Sequence, residues 1–429
     1  MSSGVPIRLA PRGRPLPSRR DLGRSDDRRI TQAGLAVAGV FLALAVAAVW
    51  LPADARLGVW LPLHLAFAGA AAQAIGAVMP FFSAALSSAP PAPPRWRVVA
   101  LVLLGGGAAL VATRVVPGAA PLPAAGGALS IAGVGVLAVV TFQPVRRALG
   151  RRHPVVLAAY GLGLADLAVG AGVATLQVGG YLPVLQDWAA WKPAHAWLNL
   201  LGFVALVVTG TLVHLYPTVT GTLIRDRPAV VVAVGGIGLG APLVAAGYAL
   251  HADAAARLGA LAAVGGAAGL VHLAVATWRD RGTWTTDLPW HRLTTGHLSA
   301  GIAWFAVAIL IAAQRTLAAG ADPAGWSIAW LVAPLAVGWM TQTLIGAWSH
   351  LLPAIGPGDP ERHAWQRRLL GRGAIAQLAA INAGAALLAA GVPAGSVPVA
   401  VAGAIVAAGG VALGLGKLAA AGLPRREAG

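Results

Sequence analysis

Twelve times along this chain an apolar run of about 20 residues ends at a short break carrying arginine, proline or aspartate. The runs occupy residues 31–51, 58–86, 96–116, 124–145, 155–184, 193–224, 228–250, 256–277, 293–314, 325–352, 373–391 and 396–416. Breaks such as Pro90-Pro-Ala-Pro-Pro94, Arg151-Arg-His-Pro154 and Gly356-Pro-Gly-Asp-Pro360 cannot continue a helix. At about 1.5 Å per residue, each run is long enough to cross a hydrocarbon layer of roughly 30 Å. The expected fold is therefore all-α and polytopic, with about 12 transmembrane helices. Composition agrees: charged residues are 10% and mean hydropathy is +0.74, so too little charge exists to coat a soluble surface of this size.

Charge placement predicts the orientation. With the N-terminus inside, the segments facing the cytoplasm carry 26 of the 31 Lys and Arg residues. The opposite loops carry five: Arg56, Arg114, Lys192, Arg257 and Arg315. Positive charge collects on the cytoplasmic side of membrane proteins, so both termini are predicted cytoplasmic in a multi-pass protein of the plasma membrane. The net charge of +17 is accounted for by these loops and implies the lipid bilayer, not nucleic acid, as partner. Residues 1–30, rich in Arg, Pro and Ser, read as a disordered cytoplasmic tail. Residues 31–422 read as one transmembrane domain, and 423–429 as a second cytoplasmic tail.

Cysteine is absent, so a metal here would rest on histidine, carboxylate, methionine or backbone oxygen. A polar side chain in lipid is costly, which makes an intramembrane histidine a functional candidate. His64 lies near the outer start of the second run and His195 near the outer start of the sixth. His214 follows His195 on the same run, roughly 28 Å deeper, so these two cannot share one ion. His297 and His350 fall at the same inner depth as His214. Two of them stand in matching frames, Gly210-Thr-Leu-Val-His214-Leu-Tyr-Pro217 and Gly346-Ala-Trp-Ser-His350-Leu-Leu-Pro353. The second run ends in a related frame, Gly76-Ala-Val-Met79-Pro80. Runs 2, 6 and 10 thus share a pattern every four helices, which suggests three four-helix units. Convergence of at least two of His214, His297 and His350 on a second site is one expectation; helix-end hydrogen bonding is the other. Asp166 is the one carboxylate deep in a run and is a candidate proton relay. Gln73, Asn199 and Gln342, again on runs 2, 6 and 10, either bond between helices or orient ligands.

Twelve helices in three arcs, with His64 and His195 near the outer face of helices 2 and 6, resemble subunit I of the heme–copper oxidases and nitric oxide reductases. The stretch His195-Ala-Trp-Leu-Asn-Leu-Leu-Gly-Phe203 is also similar to actinobacterial membrane proteins labelled copper oxidases, and more loosely to NnrS-like proteins. The resemblance implies heme and/or copper as cofactor, with His64 at a heme position and His195 at a copper position. It also implies an oxidoreductase served by an electron-transfer protein. The adjacent His-His pair after helix 6 and the His-x-His of helix 10 are missing, since that stretch reads Trp326-Ser-Ile-Ala-Trp330-Leu-Val-Ala-Pro334. A heme- or copper-binding relative in a redox or metal-handling role therefore fits better than a terminal oxidase. The alternative is a proton-coupled secondary transporter using Asp166 and the histidines; a structural subunit would leave the grouped histidines without a role. The topology is checked by reporter fusions: those after Gly150, Arg227 and Pro360 should read cytoplasmic, and those after Ala55, Ala189 and Ala319 external.

Overall fold

The computed structural model describes residues 19–119, 121–148, 153–223, 227–356 and 358–423, and among these there is no β-strand. Eleven helices are long and apolar enough to cross a membrane, and a bent pair makes a twelfth. They are α1 (Arg19–Ala48), α2 (Trp60–Ser87), α3 (Pro94–Val115), α4 (Pro121–Arg147), α5 (Pro154–Val178) and α6 (Trp188–Thr220). The rest are α7 (Pro228–Ala249), α8 (Asp253–Arg279), α9 (Leu288–Ala319), α10 (Ala333–Ile355), α11 (Ala374–Gly391) and α12 (Val397–Gly422). Each predicted run has its helix. α10 is bent by 49° against the short turns Pro323–Trp330 that precede it.

Two stretches depart from the sequence expectation. The N-terminal tail is helical from Arg19 onward, because Asp27 is buried against Arg97 of α3 and the first helix extends to reach it. The remaining tail residues, 1–18 and 424–429, lie outside the described residues. Between α10 and α11, expected as a loop, runs the helix Pro360–Gly371. The Asp359 side chain accepts from the Arg362 amide, and Pro360 supplies a pre-set first turn.

The helices close into a ring in which α12 packs against α1. α2, α6 and α10 stand inside it. In the spanning windows of α2 and α6, 78% of residues are buried, against half or less in the other measured spans. Each of these three helices widens into a π-helical segment: Leu65–Ala71, Leu198–Ala205 and Ala333–Thr341. Each segment ends five residues before the frame glycine, at Gly76, Gly210 and Gly346. The π segment of α2 meets those of both α6 and α10 at the centre. Such insertions recur where helices carry function.

The last two helices of each four-helix unit are clamped by glycine. An added Cβ on Gly126 would come 2.7 Å from the Gly107 carbonyl, joining α3 to α4. On Gly259 it would come 2.9 Å from the Gly240 carbonyl, and on Gly403 3.0 Å from that of Gly384. In all three pairs the partners are 19 residues apart. Close backbone approach of this kind holds helices together where lipid gives no hydrophobic drive.

The prolines of the central helices free carbonyls that lipid cannot satisfy. At Pro353 the donor comes from a neighbouring helix, and near Pro217 and Pro80 an adjacent carbonyl takes a side-chain donor. Pro353 leaves the Ser349 carbonyl without its helical partner, and the Trp290 indole of α9 donates to it at 2.7 Å. Three residues before Pro217, the His214 carbonyl accepts from the Thr218 hydroxyl at 2.8 Å. Three before Pro80, the Ala77 carbonyl accepts from Arg97 Nη2 at 3.0 Å and from Thr31 at 3.3 Å. Arg97 is 2% exposed, pairs with Asp27 and also donates to Thr31. Asp27→Ala strands a buried guanidinium and should cost about 3–5 kcal/mol of unfolding free energy in detergent. Removing both charges, with Arg97→Met in the same chain, should cost less than Asp27→Ala alone.

Candidate functional site

His64 closes the first turn of α2, at the edge of the π segment, and its Nδ1 lies 2.8 Å from the Trp60 carbonyl one turn earlier. His195 lies three residues before the π segment of α6. Its Nδ1 lies 2.8 Å from the Gly170 carbonyl of α5. Each carbonyl only accepts, so each Nδ1 carries the proton and each Nε2 keeps its lone pair. The bonds recorded for both rings run through Nδ1, and Nε2 has no partner among the described residues. A ligating imidazole is oriented in this way, by a hydrogen bond from its far nitrogen.

The two rings come together. Their centres are 6.4 Å apart and their planes differ by 11°. Both are half-buried. Trp60 stacks on His64 at 4.0 Å, and Trp188 lies 6.2 Å from His195. Asn199 Nδ2 bonds the His195 carbonyl at 2.7 Å and lies 3.2 Å from its Nδ1. Gly170 makes room for that amide: an added Cβ would meet Asn199 Nδ2. One turn earlier on α5, Asp166 packs its carboxylate onto Gly202 within the π segment. No hydrogen bond or ion pair is recorded for it among the described residues.

The other three candidates occupy separate surroundings. His297 is fully buried between Gln342, at 3.2 Å from Nδ1, and Gln377, at 3.3 Å from Nε2, so both its nitrogens are engaged. Gln342 also bonds Asn382 of α11 and the Gly338 carbonyl of the π segment in α10. His350 lies parallel to Trp290 at 5.5 Å with Nδ1 buried and unpartnered. His214 meets the ring of His153, not that of His350. No group of three or more His, Cys, Asp or Glu side chains with metal-holding geometry occurs among the described residues. The partners that complete the outer pair, Trp60 and Gly170, were not singled out from the sequence. Trp60 carried a signal, since four residues before His64 puts it on the same helix face.

The geometry defines a multi-pass, all-helical membrane protein with a paired-histidine site between its second and sixth spans. No protein-family model and no curated protein matches the chain. Gly202→Ala would drive a Cβ into the Asp166 side chain, whose own Cβ it meets at 2.7 Å, and should destabilise the bundle by about 1–3 kcal/mol. Asp166→Ala in the same chain should restore most of that loss, read as a double-mutant cycle of detergent unfolding.

Proposed function

We propose that this protein holds copper as Cu(I) between His64 and His195, in a redox or metal-handling role at the membrane. The observation that carries the reading is the pair of parallel imidazoles 6.4 Å apart, each with Nδ1 tied to a carbonyl. An ion about 2 Å from each Nε2 sits about 3.2 Å from each ring centre, so this spacing suits two imidazoles in line. Closed-shell Cu(I) is stable with two donors in line, whereas zinc calls for four ligands. The described residues offer no third His, Cys, Asp or Glu to such a site.

A heme with two axial imidazoles would ask for the same ring spacing. Trp60 stacks 4.0 Å from the His64 ring and packs one of its faces. The resemblance to heme–copper oxidase subunit I and to NnrS-like proteins supports a redox or metal role over a transport cycle. By the arginine asymmetry the pair faces away from the cytoplasm of a plasma-membrane protein, where an electron-transfer protein or a copper donor would dock.

A proton-coupled secondary transporter is the second reading, and Asp166 favours it. A carboxylate without a recorded partner, packed on a π segment inside the bundle, suits a proton relay. Asp166→Asn tests this reading: proton-coupled uptake into proteoliposomes should be lost if Asp166 is the relay, while copper content stays that of wild type.

The test of the copper reading is metal content of the purified full-length protein after anaerobic Cu(I) loading. His64→Ala and His195→Ala should each lower it by one equivalent. Unchanged content in both folded variants would overturn the reading, and an intense Soret absorption from the purified protein would assign heme instead.

A further inference from the structure

We infer that His153 and His214 form a second copper site at the opposite end of α6, open to water and suited to exchange of the ion. This rests on the copper reading of the outer pair. The two ring centres are 4.3 Å apart and their planes cross at 83°. His214 Nε2 is buried and has no hydrogen-bond partner among the described residues. A buried imidazole nitrogen with no protein donor or acceptor beside it is costly inside a bundle. A metal ion answers that cost if the second ring supplies a ligand.

His153 is placed to do so. It precedes α5 as the N-cap residue, with φ +57°, a left-handed conformation that residues bearing a Cβ rarely adopt. Its side chain is exposed, while His214 is half-buried. One ligand is thus fixed in the bundle and the other stands at its surface. Strained backbone of this kind persists where the surroundings hold it, often beside a binding site.

The two pairs differ in a way that predicts different roles. With about 3.2 Å from ion to ring centre, the outer spacing of 6.4 Å leaves room for two donors in line. The inner spacing of 4.3 Å allows an ion only with a bent arrangement, roughly 85° at the metal. A bent pair leaves positions free for water or a third donor from an arriving carrier. Linear Cu(I) is held; bent, open Cu(I) is exchanged. His195 and His214 are 19 residues apart on α6, about 28 Å along its axis, so one helix links a holding site to an exchange site.

The experiment is an anaerobic Cu(I) titration of the full-length protein in nanodiscs, with bicinchoninate as chromogenic competitor. Wild type should bind two equivalents. His153→Ala, a change at an exposed position outside the helices, should weaken one equivalent at least tenfold and leave the other unchanged. His214→Asn should do the same, and the His64→Ala, His195→Ala double variant should lose the complementary equivalent. If His153→Ala and His214→Asn both bind as wild type does, the second site is overturned. If wild type binds a single equivalent that His64→Ala removes, this inference fails while the outer site stands. If wild type binds none, the copper reading fails and this inference with it.

Discussion

A carbonyl released from a helix inside lipid has no water to turn to, and three helices of this protein release carbonyls deliberately placed near the bundle centre. The prolines at 80, 217 and 353 do so at one end, and the π segments alter the ladder nearer the other. Such helices are tolerated only where protein surrounds them. That requirement places α2, α6 and α10 inside the ring of the other nine spans, and at Pro353 it is met by the Trp290 indole of α9. His64 and His195 lie just before the π segments of α2 and α6, and their rings come together there. The central helices are therefore both the hardest to bury and the ones that bear the site.

The ring around them is built differently. α3·α4, α7·α8 and α11·α12 are glycine-lined pairs, each brought together through partners 19 residues apart, and they expose their other faces to lipid. Four-helix units with one irregular inner helix and one tight outer pair recur three times. The candidate site breaks this symmetry: the first two units supply the histidine pair, while the equivalent stretch of the third carries Trp330 and a bent entry instead. In the third unit polarity moves deeper, into the His297, Gln342, Gln377 and Asn382 hydrogen bonds that tie α9, α10 and α11.

How much of this could be read from residues alone follows from the range of each force. Spans are legible because bilayer thickness acts on every window of about 20 residues. The repeat is legible in the frames at Gly210 and Gly346, each five residues beyond the end of a π segment. His64 and His195 could be placed at one depth, since both sit near the same end of their runs, but nothing in the sequence says that their rings are parallel. Pairing of His214 was not legible. Its depth pointed to His350 and His297, yet His153, a residue that reads as part of a loop, reaches back over it. The buried Asp27 was hidden for a similar reason: its partner Arg97 lies 70 residues away on another helix. Depth along a helix is a one-chain property, whereas the rotation that decides which side chains meet is set by neighbours.

The central claim is that copper sits between two imidazoles, each presenting Nε2 while Nδ1 is held by a carbonyl. X-ray absorption at the copper edge tests it most directly, on Cu(I)-loaded full-length protein carrying His153→Ala and His214→Asn so that only the outer pair remains. The account predicts two nitrogen neighbours at about 2 Å, the outer-shell scattering of two imidazole rings and the edge feature of linear two-coordinate Cu(I). A sulfur neighbour, a four-coordinate shell or the scattering of a single imidazole would contradict it.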